Sequence, residues 1–233
     1  MGSGDIINKS FERGCFIMPN AVYFNSYRLK KGSSVPDFLL AVEKLVNEIA
    51  SKHKGYISFA LFVDGETWAD YSIWETMDDL NAFVAAAEAA SASGTNELAE
   101  KFYSFLNFNS CRSYHFTVKG SFNFDKDQFT KPNIISFHSY KLNKGVSEAD
   151  FLLAAEKMNN EFISKQKGWI SSKNLCDGKT WADFVIFETQ EDLDNFVKAC
   201  EAYEATKDGF DLMNTSDLRS HTFSVEMNHY LDK

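Results

Sequence analysis

The sequence predicts an α+β protein made of two copies of one strand-helix-strand-strand-helix-strand unit, and three observations carry that prediction. The stretch Asp64-Gly65-Glu66-Thr67-Trp68-Ala69-Asp70 returns as Asp177-Gly178-Lys179-Thr180-Trp181-Ala182-Asp183. Displacing the chain on itself by about 113 positions aligns residues 27–89 with 140–202 without a gap, and about 36 of the 63 pairs are identical, far beyond chance. Within each copy, stretches of period-2 alternation and stripes of helical spacing follow in the same order.

The elements of the first copy read as follows. Val22 to Leu29 is a strand of aromatic and β-branched residues closed by Lys31-Gly32. Ser33-Ser34 supplies an N-cap and Pro36 suits a first turn, after which Phe38, Ala41, Val42, Leu45 and Ile49 recur on one helical face up to Lys54-Gly55. Tyr56–Val63 and Thr67–Trp74 are two strands joined through Asp64-Gly65, a pair that tolerates the positive φ of a tight hairpin. A second helix follows from about Asp78 to Ala90, then a short helical piece from Asn96 to Leu106, then a fourth strand from Ser113 to Val118.

The second copy repeats the plan. Ser147 caps, Asp150 stands where a capping box wants an acid, and Phe151, Ala154, Ala155, Met158 and Phe162 repeat the stripe, read here as core. Asp177-Gly178 keeps the turn, Thr189–Tyr203 the second helix and Ser220–Val225 the fourth strand, with the second copy shorter by about six residues. The expected units are 20–118 and 133–230, joined by a polar linker through Gly120, Asp125, Asp127 and Pro132. This is the order of a ferredoxin-like split βαβ fold, whose four-stranded antiparallel sheet carries helices on one face only. The other face is too rich in aromatic and aliphatic residues to stay wet, so the two sheets are expected to pack face to face.

Composition excludes several classes. A net charge of -9, without a stripe of clustered Lys and Arg, argues against nucleic acid as a partner. No run approaches the roughly 18 apolar residues of a membrane span. Cys15, Cys111, Cys176 and Cys200 lie far apart at unrelated repeat positions, which fits neither a disulfide framework nor a zinc site. The first residues lack a basic head and apolar run, so a cytoplasmic protein is expected. His115 and His221 are offset by one position between the copies and should point to opposite faces of the fourth strand. No carboxylate or histidine cluster repeats at metal-ligand spacing, so no metal or cofactor is expected.

Strand 1 ending in Lys31-Gly32 (Lys144-Gly145), the passage Tyr71-Ser72-Ile73-Trp74-Glu75-Thr76 (184–189 in the second copy) and the order of elements resemble the dimeric α/β-barrel superfamily. They resemble in particular its antibiotic-biosynthesis-monooxygenase-like branch. The resemblance covers nearly the whole chain and implies a tandem, pseudo-dimeric α/β barrel, with a further homo-oligomer left open. It also implies a small-molecule pocket in each unit, between the helices and the sheet. Members of that branch oxidise aromatic polyketides without metal or flavin, others cleave haem, and others are stress or signalling proteins. The haem-cleaving pattern wants an Asn in strand 1, a Trp in the second helix and a His beyond it. Asn25 matches, but Phe83 and Phe196 stand at the Trp position, and Ser93 and Thr206 near the His position, which argues against haem.

The residues themselves mark one face. Asn25 becomes His138 in the second copy while Tyr27 is kept as Tyr140, placing an amide or imidazole two residues from a phenol on the same side of strand 1. Phe59 and Leu61 become Ser172 and Asn174, so the second pocket should be the more polar one. The expected ligand is a small apolar or aromatic molecule. Asn25, Tyr27, Phe59, Leu61, Phe83, Ser172, Asn174 and Phe196 would contact it, His138 would act as base because imidazole titrates nearest neutrality, and Tyr140 would orient its oxygens. Trp68, Asp70, Trp181 and Asp183, kept in both copies, could line the ligand site or bridge the two sheets, and the structural role is preferred. Two readings follow: a cofactor-independent monooxygenase for an aromatic or polyketide-like substrate, or a non-catalytic ligand-binding or stress-response module.

Overall fold

The structure is a computed structural model that describes residues 21–94, 96–123, 129–203 and 211–230. Cys15, linker residues Asp125 and Asp127, and Thr206 lie outside the described residues. The first half runs β1 (Ala21–Leu29), α1 (Val35–Glu48), β2 (Tyr56–Asp64), β3 (Thr67–Trp74), α2 (Met77–Ser93), α3 (Glu97–Phe105) and β4 (Leu106–Phe122). The second runs β5 (Ile134–Leu142), α4 (Glu148–Glu161), β6 (Trp169–Cys176), β7 (Trp181–Phe187), α5 (Gln190–Ala202) and β8 (Met213–Tyr230).

Local chemistry sets the boundaries. Ser34 and Ser147 cap α1 and α4 by accepting from the amides of Asp37 and Asp150. Gly65 and Gly178 turn the hairpins at φ of +57° and +91°. Thr76 and Thr189 each donate a hydroxyl to an acid three residues on, Asp79 and Asp192, as the chain enters α2 and α5. Gly55 and Gly168 pass directly beneath those carboxylates, so close that an added Cβ would lie 2.5 and 2.4 Å from their side-chain atoms.

The eight described strands close into one barrel in the order β1-β3-β2-β8-β5-β7-β6-β4, every pairing antiparallel. Each half contributes a four-stranded sheet of the expected order. The sheets face each other and also join edge to edge, which removes every free strand edge. The joints correct the length of the fourth strands. Expected at 113–118 and 220–225, they span 106–122 and 213–230, because each pairs first with its own half and then with the other. Residues 106–117 of β4 pair with β1 and 117–122 with β6; residues 213–224 of β8 pair with β5 and 224–230 with β2. Opposite Tyr27 and Tyr140 the long strands bulge, so each bends as it leaves its own sheet.

Barrel and helices divide the side chains by alternation. Inside lie Val22, Phe24, Phe62, Tyr71, Ile135, Phe137, Phe184 and Phe223, with Phe129 of the linker plugged among them. The face expected to pack sheet on sheet is this interior. Burying each of these side chains contributes roughly 1.5–3 kcal/mol by area. The helices cover the outer face of the strands.

Candidate functional site: a cavity in the second half

The two halves treat the space under their helices differently. In the first half it is full. Phe102 of α3 packs edge-on against Tyr27 at 6.0 Å and lies beside Phe38 at 6.1 Å, and Phe38 meets Trp68 at 5.0 Å and Phe105 at 6.0 Å. Asn25, Tyr27, Phe59 and Leu61 are all buried, the last three within this apolar cluster. Phe83 packs against the same cluster, stacked on Trp74 at 4.7 Å and against His53 at 5.1 Å. Where a pocket was expected in the first unit, α3, inserted between the repeated elements, places aromatic rings against Tyr27 and Phe38.

In the second half the same place is a cavity of about 380 Å³. Its roof is the stripe read as core, Phe151, Ala154, Ala155, Met158 and Phe162, with Phe196 and Cys200 from α5. Phe122 of β4 enters from the first half, opposite Ser172 across the β4–β6 joint. Residues 204–210, between α5 and β8, lie outside the described residues.

Its floor is a polar wall carried by β5, β6, β7 and β8. His138 lies between Asp183 of β7 and Ser220 of β8 in the sheet register. Its Nε2 is 2.8 Å from the Ser136 hydroxyl and its Nδ1 is 2.9 Å from the Ser220 hydroxyl. Burial, then His221, pushes the imidazole below its ordinary value, so it is neutral at pH 7, with one nitrogen donating and the other accepting. Beside it, the Tyr140 hydroxyl and the Asn174 amide both donate to Oδ1 of Asp183 at 2.8 Å. Burial pushes the Asp183 carboxyl up to about 6, with these two hydrogen bonds pulling the other way. Burial, then the neighbouring carboxylate, holds Tyr140 well above its ordinary value, so it stays a phenol. Both bonds converge on Oδ1, which leaves Oδ2 to accept a proton from a bound molecule. Ser172 accepts from the Trp169 indole at 2.7 Å.

The structure thus gathers His138, Tyr140, Ser172, Asn174 and Phe196 around one cavity and leaves Asn25, Tyr27, Phe59, Leu61 and Phe83 away from it. Sequence reasoning preferred a structural role for Asp183 over a place in the ligand site, and the structure puts it in the cavity wall. Asp70 is its counterpart: it accepts from Tyr27 at 2.6 Å, and burial pushes it up to about 7. What separates the two carboxylates is the space beside them, which no residue pattern records. Lys173, which replaces Ala60, was missed. It points the opposite way from Ser172 and Asn174, into the barrel, where its ammonium lies 6.0 Å from the Phe184 ring and burial pushes it down to about 7. His115 and His221 point to opposite faces, one against Tyr23 and the other against Phe223.

Among solved structures, the chain is similar to an anthrone oxidase-like protein, with a TM-score of 0.63 and 11% identity over 93% of this chain and 95% of that one. It is similar to a candidate monooxygenase from Lactobacillus acidophilus NCFM, with a TM-score of 0.62 and 9% identity over 91% and 96% of the two chains. It is also similar to an uncharacterized ferredoxin fold protein related to antibiotic biosynthesis monooxygenases from Listeria monocytogenes, with a TM-score of 0.50 and 11% identity over 92% and 99%. No family model and no curated protein matches the sequence. The chain has the dimeric α/β-barrel fold. Here both halves of the dimeric α/β barrel come from one polypeptide, so the two sites under its helices are free to differ. They do: one is filled by Phe102 and the other is open beside Asp183.

Proposed function

We propose that the second half binds a small, largely apolar aromatic molecule bearing a hydroxyl or carbonyl, and oxidises it with O2 without a metal or organic cofactor. The observation that carries this reading is the cavity of about 380 Å³ whose apolar roof faces a wall of His138, Tyr140, Asn174 and Asp183. A cavity of this kind favours an aromatic body, while the wall fixes its oxygens. His138 and the open oxygen of Asp183 are both basic at neutral pH and can take a proton from an acidic phenol or a carbon next to a carbonyl. The dry roof keeps the resulting anion reactive toward O2. For an activated methylene, O2 supplies one atom to the new carbonyl and leaves with the two hydrogens as water. Similarity to an anthrone oxidase-like protein supports this choice of substrate class.

A second reading has its own support. Both ring nitrogens of His138 and the Tyr140 hydroxyl already have partners within the protein, which suits a wall that holds a ligand without changing it. Incubation with anthrone- and quinol-type compounds, with and without O2, separates the two. The oxidase reading expects O2-dependent product, reduced in His138→Ala and in Asp183→Asn. Binding without O2 consumption selects the non-catalytic module, and no binding at all defeats both.

A further inference from the structure

The chain contains four arginines, and three of them, Arg28, Arg112 and Arg219, line one depression of about 230 Å³ at a mouth of the barrel. In a protein of net charge -9 that gathering is unexpected. It follows from the register. Ser26 pairs with Arg112 and Ser139 with Arg219, so the two arginines occupy equivalent places in the two halves and line the same depression. Beneath them, Phe24 and Phe137 stack at 4.3 Å and close the bottom of the depression. Ser26, Ser139, Ser110 and Thr67 add hydroxyls at its wall. This site is on the opposite face of β5 and β8 from the cavity: Ser136, His138 and Tyr140 look one way, Phe137 and Ser139 the other.

Of the arginines there, Arg219 feels the charge of the Asp217 carboxylate without pairing closely with it. Among the described residues none of the three arginines forms an ion pair. Of two carboxylates on adjoining strands, Asp217 is paired with Lys141 at 2.7 Å and Asp64 is hydrogen-bonded to the His221 ring at 3.0 Å. Three arginines lining one concave surface over an aromatic base present a positive site to an anion. Their planar forks, with serine and threonine hydroxyls nearby, match the oxygens of a tetrahedral or planar oxyanion.

We propose that this mouth is a binding site for a small oxyanion, best matched by a phosphate group, held jointly by Arg112 of one half and Arg219 of the other with Arg28 beside them. Such a ligand bridges the two repeats and ties the barrel shut at that end. The depression has room for a phosphate and a small organic substituent stacked toward Phe24 and Phe137.

The test is calorimetric titration of the full chain with inorganic phosphate at constant ionic strength, beside sulfate and acetate. The expected result is a saturable heat from phosphate, with an affinity lowered about tenfold or more in Arg112→Gln and abolished in Arg112→Gln/Arg219→Gln. Arg112→Lys, which keeps the charge and loses the fork, should also bind more weakly. Saturable binding of sulfate or acetate in place of phosphate supports the site and reassigns its anion. Circular dichroism and the anion-free thermal midpoint verify that the variants fold, and if the double variant does not, Arg28→Gln and Arg112→Lys carry the comparison. No saturable heat from any of the three anions, or equal affinity across the variants, overturns the proposal.

Discussion

Phe24 and Phe137 hold the same position in the two repeats, and they stack on each other at 4.3 Å with their planes 13° apart. Tyr71 and Phe184, also equivalent, do the same at 4.6 Å. A residue that touches its own counterpart lies on the axis relating the copies, so these two pairs mark the pseudo-two-fold through the barrel. The interface between the halves is thus the hydrophobic core itself. Phe137→Ala is expected to cost about 3–5 kcal/mol in urea unfolding, and Phe24→Ala a similar amount. The double variant should cost less than their sum, because each single change already breaks the stack. Strict additivity would show that the pair is not in contact.

The polar wall of the cavity predicts a pH profile for turnover. Asp183, pushed up to about 6, must be ionised for its open oxygen to accept a proton, so activity should rise through about pH 6. In Asp183→Asn the Tyr140 hydroxyl keeps an acceptor while the base is lost. The rising limb should vanish and the rate fall by roughly 10²–10⁴. A limb unchanged in that variant assigns the titration to another group.

Stability should depend on pH through the same carboxyls. Asp70 and Asp183 bind protons in the folded state up to about 7 and about 6, whereas in the unfolded chain they release them near pH 4. Their contribution is full below pH 4 and is lost as pH rises through 6 and 7, because the folded state then binds the extra protons. Denaturant midpoints of Asp70→Asn/Asp183→Asn should therefore show a flatter dependence between pH 4 and 7 than those of the parent. An identical slope in both would remove the assignment.

The filled first half can be opened. Phe102→Ala removes the ring packed against Tyr27 and Phe38, and should destabilise by about 3–5 kcal/mol while leaving an apolar void. That variant should acquire a second binding site for a small aromatic probe such as indole, read as doubled stoichiometry in titration. Unaltered stoichiometry would mean that the first half collapses around the missing ring.

Gly55 and Gly168 combine positive φ, +77° and +71°, with a carboxylate pressed against the absent side chain. Alanine at Gly168 should destabilise by more than about 1 kcal/mol, and the thermal midpoint should drop accordingly. The companion change at Gly32, where φ is +84° but nothing lies within 4 Å, should cost less.

Two repeated units, their order of strands and helices, the glycine turns and the apolar side of the first strands follow from local pattern. Period-2 alternation puts Phe24 and Phe137 opposite Asn25 and His138 whatever the rest of the chain does, and Ser34 and Ser147 cap a helix by bonds within three residues. His138, Tyr140, Ser172 and Asn174 could be grouped for the same reason: neighbouring strands with known alternation bring them to one face. The tertiary structure decided everything that depends on distant volume and charge. Whether a stripe such as Phe151, Ala154, Ala155 and Met158 packs or roofs a cavity turns on what fills the space beside it, and in the first half that filler is α3, which belongs to neither repeat pattern. Asp70 and Asp183 read alike in sequence and differ only because one faces rings and the other faces empty space. The long fourth strands and the three arginines they bring together arise from closing two sheets into a barrel, a condition on the whole chain that no short window of residues contains.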